Sequence, residues 1–332
     1  MITIKDVARR AKVSIATVSH VLSDSGRIGE DTRQRVRKAV AELDYRPSFI
    51  ARSLKSRRTH TIGMVISDIT NPFFPEMVRG AEDAAAARGY LLSIFNTDDR
   101  PERERQVFRV LETRRLDGVL LVVALERGPL PHVEKMLTSG TPVVCLDRRP
   151  RGIAADTVMV DNASAVALGI EHLIASGYRR IAYIGGAPSM YIAPDRLRGY
   201  RSAMKEAGLP MRAVHGDFRR ESGHRAAMDL LTSPDRPDAL FVANLLMAAG
   251  ALEAAHGLSL HTPEHFGLVT FDSIDLMSGF GPDLTTVVQP SYELGHQGAN
   301  LLLDRIEGVC KTPPVTLKLP CRLKVGDSSR PR

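Results

Sequence analysis

The chain opens with two short segments whose apolar residues recur at helical spacing. Ile4, Val7, Ala8 and Ala11 share one face of a first helix, and Val18, Val21 and Leu22 one face of a second. Thr3, followed three residues later by Asp6, is a capping-box pattern with Asp in place of the usual Glu, and Ser14 is placed to cap the second helix through its hydroxyl. A third amphipathic stretch, residues 30–43, carries Val36, Val40 and Leu43, with Tyr45 beyond it and Pro47 as its stop. Together they predict a three-helix domain over residues 1–46. The first two helices around a tight turn have the form of a helix-turn-helix, whose second helix enters the major groove of DNA. Ile15, Ala16, Thr17 and His20 would then face outward. A small helical bundle with no nucleic-acid role is the alternative.

From Thr61 the period changes. Short apolar runs read as buried parallel strands at 62–66, 91–95, 118–123 and 143–146, with amphipathic helices at 76–88, 103–114 and 133–139 between them. The plan then repeats, with strands at 158–160, 181–184, 240–242 and 268–271. The expected fold is α/β: two doubly wound parallel sheets in series, with a shared cleft beyond the carboxyl ends of their strands.

Charge separates the two parts. Residues 1–60 hold 14 Lys or Arg against 6 Asp or Glu, and the remainder 31 against 32, so the net +7 originates in the N-terminal part. A basic surface confined to one small domain is what phosphate binding requires. The linker at residues 47–60 continues the basic character. In it Leu54 stands alone among Arg52, Lys55, Arg57 and Arg58. It reads either as a leucine packed on the larger domain or as a wedge entering a minor-groove base step. No run approaches the roughly 18 apolar residues of a spanning helix, and no secretion signal is evident, so a soluble cytoplasmic protein with no membrane partner is expected. Cys145, Cys310 and Cys321 are too few and too scattered for a disulfide framework or a zinc site, and Cys145 reads as a small buried hydrophobe.

Enzyme motifs are poorly represented. Gly185-Gly186 after a strand is similar to a phosphate cradle, but no GxGxxG or GxxxxGK[ST] supports it. Ser189 lacks a nucleophile-elbow context, and the ten histidines show no HExxH-type spacing. No catalytic residues, cofactor or metal site are expected. A Rossmann-type enzyme and a ligand-binding protein without DNA function remain as the competing classes.

Residues along the whole chain resemble the lactose-repressor (LacI/GalR) family of bacterial transcription regulators. Ile4-Lys5-Asp6-Val7-Ala8, Val13-Ser14 with Thr17-Val18-Ser19, and Ala51-Arg52-Ser53-Leu54 are similar to its DNA-binding and hinge signatures. Asn71-Pro72-Phe73-Phe74, Arg196-Leu197-Arg198-Gly199-Tyr200 and Gly216-Asp217-Phe218 are similar to its effector-binding core. The headpiece and hinge most resemble those of purine-responsive members. The resemblance implies a homodimer on pseudo-palindromic double-stranded operator DNA, with a periplasmic-binding-protein-like core. It implies three crossings between lobes, giving one lobe of residues 61–161 and 291–320 and a second of 162–290 and 321–332.

The same resemblance supplies the site residues. DNA contacts would come from Thr3, Ser14, Ile15, Ala16, Thr17, Ser19 and His20, and from Ala51, Arg52, Leu54 and Lys55 of the hinge. Ser67, Asp68, Phe73, Phe74, Asp147, Arg196, Phe218, Asn244 and Asp272 would hold a small-molecule effector. Arg196 is a planar bidentate donor; Asp147, Asn244 and Asp272 are acceptors; Phe74 and Phe218 offer flat faces in a chain without tryptophan. A sugar or related metabolite is the favoured effector, with a purine or nucleoside as the alternative. Leu245 stands where the family has Asp, Ile192 where purine-responsive members have a threonine contact, and Thr270-Phe271-Asp272 where the family has Gly-Tyr/Phe-Asp. Residues 187–194 are richer in apolar residues than the sugar-responsive pattern, which leaves a less hydroxylated, partly apolar small molecule as a further alternative. The tail after Cys321 contains Gly, Ser and Pro without heptads, so the expected assembly is a dimer.

Overall fold

Lys12 separates the first two helices: its φ of 53° is left-handed, which ends α1 (Ile4–Ala11) before α2 (Ile15–Leu22) begins. The computed structural model describes residues 2–22, 26–45, 58–124, 127–272 and 283–330, in two units spanning 1–60 and 61–332. In the first unit α3 (Glu30–Glu42) packs on both preceding helices around Val7, Ala8, Val18, Val21 and Val36. The Asp6 carboxylate accepts the Thr3 N–H at 3.0 Å and the Thr3 hydroxyl at 2.7 Å, and these bonds hold its carboxyl below the usual range. Ser14 accepts the Thr17 N–H at 3.0 Å, as a cap should. Arg10 and Glu42, 2.6 Å apart, tie α1 to α3.

The second unit holds two six-stranded sheets. Its elements run β1 (Thr61–Ile66), α4 (Phe73–Ala87), β2 (Leu91–Asn96), α5 (Pro101–Arg114), β3 (Gly118–Leu121), α6 (Pro131–Thr138), β4 (Val143–Leu146) and β5 (Asp156–Val160). There follow α7 (Asn162–Ala175), β6 (Ile181–Gly186), α8 (Ala193–Glu206), β7 (Arg212–Gly216), α9 (Arg220–Leu231), β8 (Ala239–Val242), α10 (Leu245–Gly257) and β9 (Gly267–Phe271). The last are β10 (Thr285–Val288), α11 (Ser291–Glu307), β11 (Thr316–Leu319) and β12 (Arg322–Lys324). Strand order is β11-β5-β4-β3-β1-β2 in one sheet and β12-β10-β9-β8-β6-β7 in the other. All pairings are parallel except that of β12 with β10. Setting aside β11 and β12, both sheets have the doubly wound order 2-1-3-4-5. The strands pass from one sheet to the other after β5, after β10 and after β11.

Burial on both faces explains the apolar runs. Ile62, Met64 and Ile66 of β1 point into the cluster beneath α4 and α11, while Val65 points into the opposite cluster with Phe108 and Leu111 of α5. Cys145 lies in that second cluster, and burial pushes its thiol up to about 12. The strands not anticipated were β7, β10, β11 and β12. Three of them are at or beside a sheet edge and carry partly exposed polar residues, which removes the apolar signal. Among the described residues no helix is long and apolar enough to cross a membrane.

Helices α4 and α11 approach closely through a pair of glycines. A Cβ on Gly295 would lie 1.8 Å from the Met77 carbonyl oxygen, and one on Gly80 would lie 2.0 Å from that of Tyr292. Backbone cannot yield as a side-chain tip can. Gly295→Ala should therefore lower stability by about 1–3 kcal/mol through overpacking. Urea denaturation checks this, and an unchanged midpoint would show that the helices separate freely.

Candidate functional site

A cavity of about 200 Å³ lies where the carboxyl ends of the two sheets meet. From the first lobe come Asp68, Asn71, Phe73 and Phe74 after β1, Asp99 after β2, and Asp147 and Arg148 after β4. The second lobe contributes Met190, Ile192 and Arg196 around the start of α8, then Asp217, Phe218 and Arg219 after β7. Asn244 and Leu246 at the start of α10, Asp272 after β9 and Gln289 after β10 complete the lining.

Two aspartates occupy matching places. Asp147 follows β4 and Asp272 follows β9, the equivalent strand; their φ angles are 64° and 72°. Each N–H donates at 2.9 Å to the neighbouring strand, to the carbonyls of Val158 and Val287. This shared left-handed step turns both carboxylates out of the strand line. Burial pushes the Asp147 carboxyl up, against the pull of Arg148 and Arg196, and its Oδ1 is buried with no hydrogen-bond partner. Asp272 is pushed up to about 6 by burial, opposed by Arg196 and by the Gln289 amide, which donates to its Oδ1 at 2.8 Å.

Between them lies Arg196, 2 % exposed. Its Nε donates to Asn162 at 2.7 Å, its Nη1 to the Ala243 carbonyl, and its guanidinium carbon lies 3.8 Å from the Phe271 ring centroid. Nη2 makes no hydrogen bond among the described residues. Arg148 is buried too, and its Nη1 donates to Asp99 at 2.5 Å and to the Val123 carbonyl at 2.6 Å.

Aromatic faces are held as firmly. Phe73 and Phe74 meet edge to face at 5.1 Å. Phe218 has a φ of 64°, a strained conformation for a bulky residue, and the Asn244 amide donates to its carbonyl at 2.8 Å. Its ring fills the space above Gly186, where a Cβ would come within 2.2 Å of it. Gly185 likewise makes room for Tyr183. The glycine pair thus serves aromatic packing within β6, which accounts for it without a phosphate.

Eight of the nine expected effector residues come together at this cavity. Ser67 is not among the lining residues: it is completely buried just after β1, beside Asp68, with an unpartnered hydroxyl. Asn244 differs in role, because its Oδ1 caps α10 through the Met247 N–H at 2.9 Å. Asn71, Asp99, Arg148, Met190, Asp217, Arg219, Leu246 and Gln289 were missed. A charged loop residue such as Arg148 looks the same in sequence as its neighbour Arg149, and Gln289 follows a strand that went unrecognised.

On the headpiece, Ile15 is 44 % exposed, and Ala16 and His20 are exposed beside it. Thr17 and Ser19 are half-buried, and the Thr17 and Ser14 hydroxyls are 2.9 Å apart. Thr3 is exposed and bonded to Asp6. Ala51, Arg52, Leu54 and Lys55 lie outside the described residues.

Residues 3–48 match the bacterial regulatory proteins of the lacI family, and residues 170–329 match the periplasmic binding protein-like domain. The ribose operon repressor of Halalkalibacterium halodurans is 36% identical over 332 residues, 99% of this chain and 98% of that protein. The chain belongs to the lacI family. Among solved structures, a complex of the transcriptional regulator CelR with cellobiose is 32% identical, with a TM-score of 0.73 over 99% of this chain and 100% of that one. The lac repressor dimer bound to operator and the anti-inducer ONPF is 25% identical, with a TM-score of 0.86 over 99% of both chains. As a lacI-family regulator the protein joins a DNA-binding headpiece to an effector-binding core.

The raised carboxyl of Asp272 makes a pH prediction. Its folded pKa lies above the ordinary 3.8, so the group supports folding most below 3.8 and withdraws that support as pH rises through about 6. Between about pH 5 and pH 7.5 the wild type should lose about 1 kcal/mol that Asp272→Asn does not lose. Urea titrations of both proteins at the two pH values measure the difference; parallel behaviour would show an ordinary carboxylate.

Proposed function

We propose that this protein is a cytoplasmic, homodimeric transcriptional repressor whose operator affinity is set by a small sugar or related metabolite held between the lobes. The observation that carries the reading is the cavity's chemistry. The buried carboxylates of Asp147, one oxygen of which is unpartnered, and Asp272, with the guanidinium of Arg196, suit the hydroxyl edge of a ring, and Phe73, Phe74 and Phe218 suit its faces. A volume of about 200 Å³ is below the roughly 300 Å³ at which drug-sized sites begin, and so favours one sugar ring. Similarity to a ribose operon repressor supports this reading, and similarity to a cellobiose-bound regulator supports the sugar class. The effector acts as a ligand, without catalysis and without a cofactor. A purine or nucleoside is the second reading, favoured by the apolar wall of Met190, Ile192 and Leu246.

Exposed Leu91 and Ile94 on edge strand β2, with Met211 beside edge strand β7, offer apolar surface for the second protomer. Paired headpieces would then reach two half-sites of a pseudo-palindromic operator, with Leu54 of each hinge entering the central minor groove. The effector changes operator affinity by as much as it discriminates between the two lobe arrangements.

Calorimetry with D-ribose, adenine and adenosine tests the effector class. Arg196→Ala should weaken the ligand that binds by about 1.5–3 kcal/mol and abolish its effect on operator binding. Wild-type affinity in that variant would remove Arg196 from the site.

The headpiece makes a separate prediction. Ile15 and Ala16 cannot hydrogen-bond a base edge, so they read shape and thymine methyls, leaving Thr17 and His20 as the polar contacts on that face. Ala16→Gln should create a new base preference at one position per half-site, worth about 1–3 kcal/mol. Binding-site selection reads this, and an identical motif for variant and wild type refutes it.

A further inference from the structure

The segment between β6 and α8 reaches into the opposite lobe. Met190 and Ile192 line the cavity, whereas Tyr191 between them belongs to the apolar cluster of the first lobe. Every other buried member of that cluster lies between Val65 and Cys145. Around Tyr191 the Arg127 N–H donates to the Ser189 carbonyl at 3.2 Å, and the Arg127 guanidinium to the Tyr191 carbonyl at 3.4 Å. The receiving strand end is braced from within: Glu104 accepts the Ala124 N–H at 2.6 Å and meets His132 Nε2 at 2.7 Å. The His132 ring packs edge to face on Phe108 at 4.7 Å.

These contacts join the lobes at a point the three chain crossings do not touch. We propose that Tyr191 is a positioning residue for the effector. Its ring, seated in the core of the first lobe, latches the two lobes closed and so fixes Met190 and Ile192 as the cavity wall. Opening the lobes would withdraw an aromatic ring from an apolar cluster and break the Arg127 bonds together. The wall residues, adjacent on the same backbone, would leave with it. Closure and completion of the cavity are thereby one event. The proposal rests on the reading of the cavity as an effector site, but the latch itself exists without a ligand.

Hydrogen exchange on the full-length, ligand-free protein tests the latch directly. In Tyr191→Ala the amides of Arg127 and Gly128 and of residues 187–192 should exchange at least about tenfold faster, with β4 and β6 keeping their protection. With D-ribose as the probe, calorimetry should show affinity reduced about ten- to a hundredfold in Tyr191→Ala, because the closed fraction falls. Tyr191→Phe, which retains the ring, should stay within about threefold of wild type. Unchanged exchange in Tyr191→Ala overturns the latch. Faster exchange throughout the second lobe overturns it as well, since the ring would then merely support the fold. If D-ribose binds neither wild type nor variant, the sugar reading fails while the exchange result still decides the latch.

Discussion

Arg196 gives Nε to Asn162 and Nη1 to Ala243, and lies over the ring of Phe271. Asn162 opens α7, Ala243 follows β8 and Phe271 ends β9, so one buried side chain joins three elements at the floor of the cavity. A guanidinium out of water is tolerated only with strong partners. Here the two carboxylates that pull on it, Asp147 and Asp272, come from different lobes and are themselves displaced towards neutrality by burial. The arrangement is electrostatically incomplete within one chain, with Asp147 Oδ1 and Gln289 Oε1 buried and unpartnered. Such groups are what a polar guest would satisfy.

The same strand order, used twice, explains why the site is assembled from so many distant positions. In each sheet the neighbouring strand accepts the amide of the aspartate that follows β4 or β9, and in each that aspartate is left-handed. Lining residues therefore arrive from strand ends spread between Asp68 and Gln289. Because the two halves of the lining belong to separate sheets, their spacing depends on the angle between lobes. The cavity's shape is a readout of that angle.

The architecture was legible wherever burial is two-sided. Runs such as 62–66 and 143–146 have no polar alternation, so buried parallel strands followed from composition alone. Where one side meets solvent the signal vanished, as in β7 with its Arg212 and His215, and in β11 with its Lys318. At the site, residues carried by family motifs were legible, including Arg196 and Phe218. Ser67 follows β1 and is completely buried, and Asp68 is the first residue after that strand among the cavity-lining residues. Tyr191 could not have been singled out, since its partners are set by lobe closure, a relation no local pattern encodes.

All three passages between the sheets leave from β5, β10 and β11, at one margin of each sheet, whereas β2 and β7 form the opposite margin. Bending at the passages is therefore a lever. Four inter-strand spacings separate β5 from β2, an arm of roughly 19 Å at about 4.8 Å per strand. Each degree of rotation displaces the far margin by about a third of an ångström. A few degrees at the fulcrum, too small to disturb the buried strands beside it, become a displacement of about 1–2 Å where Leu91 and Ile94 stand exposed.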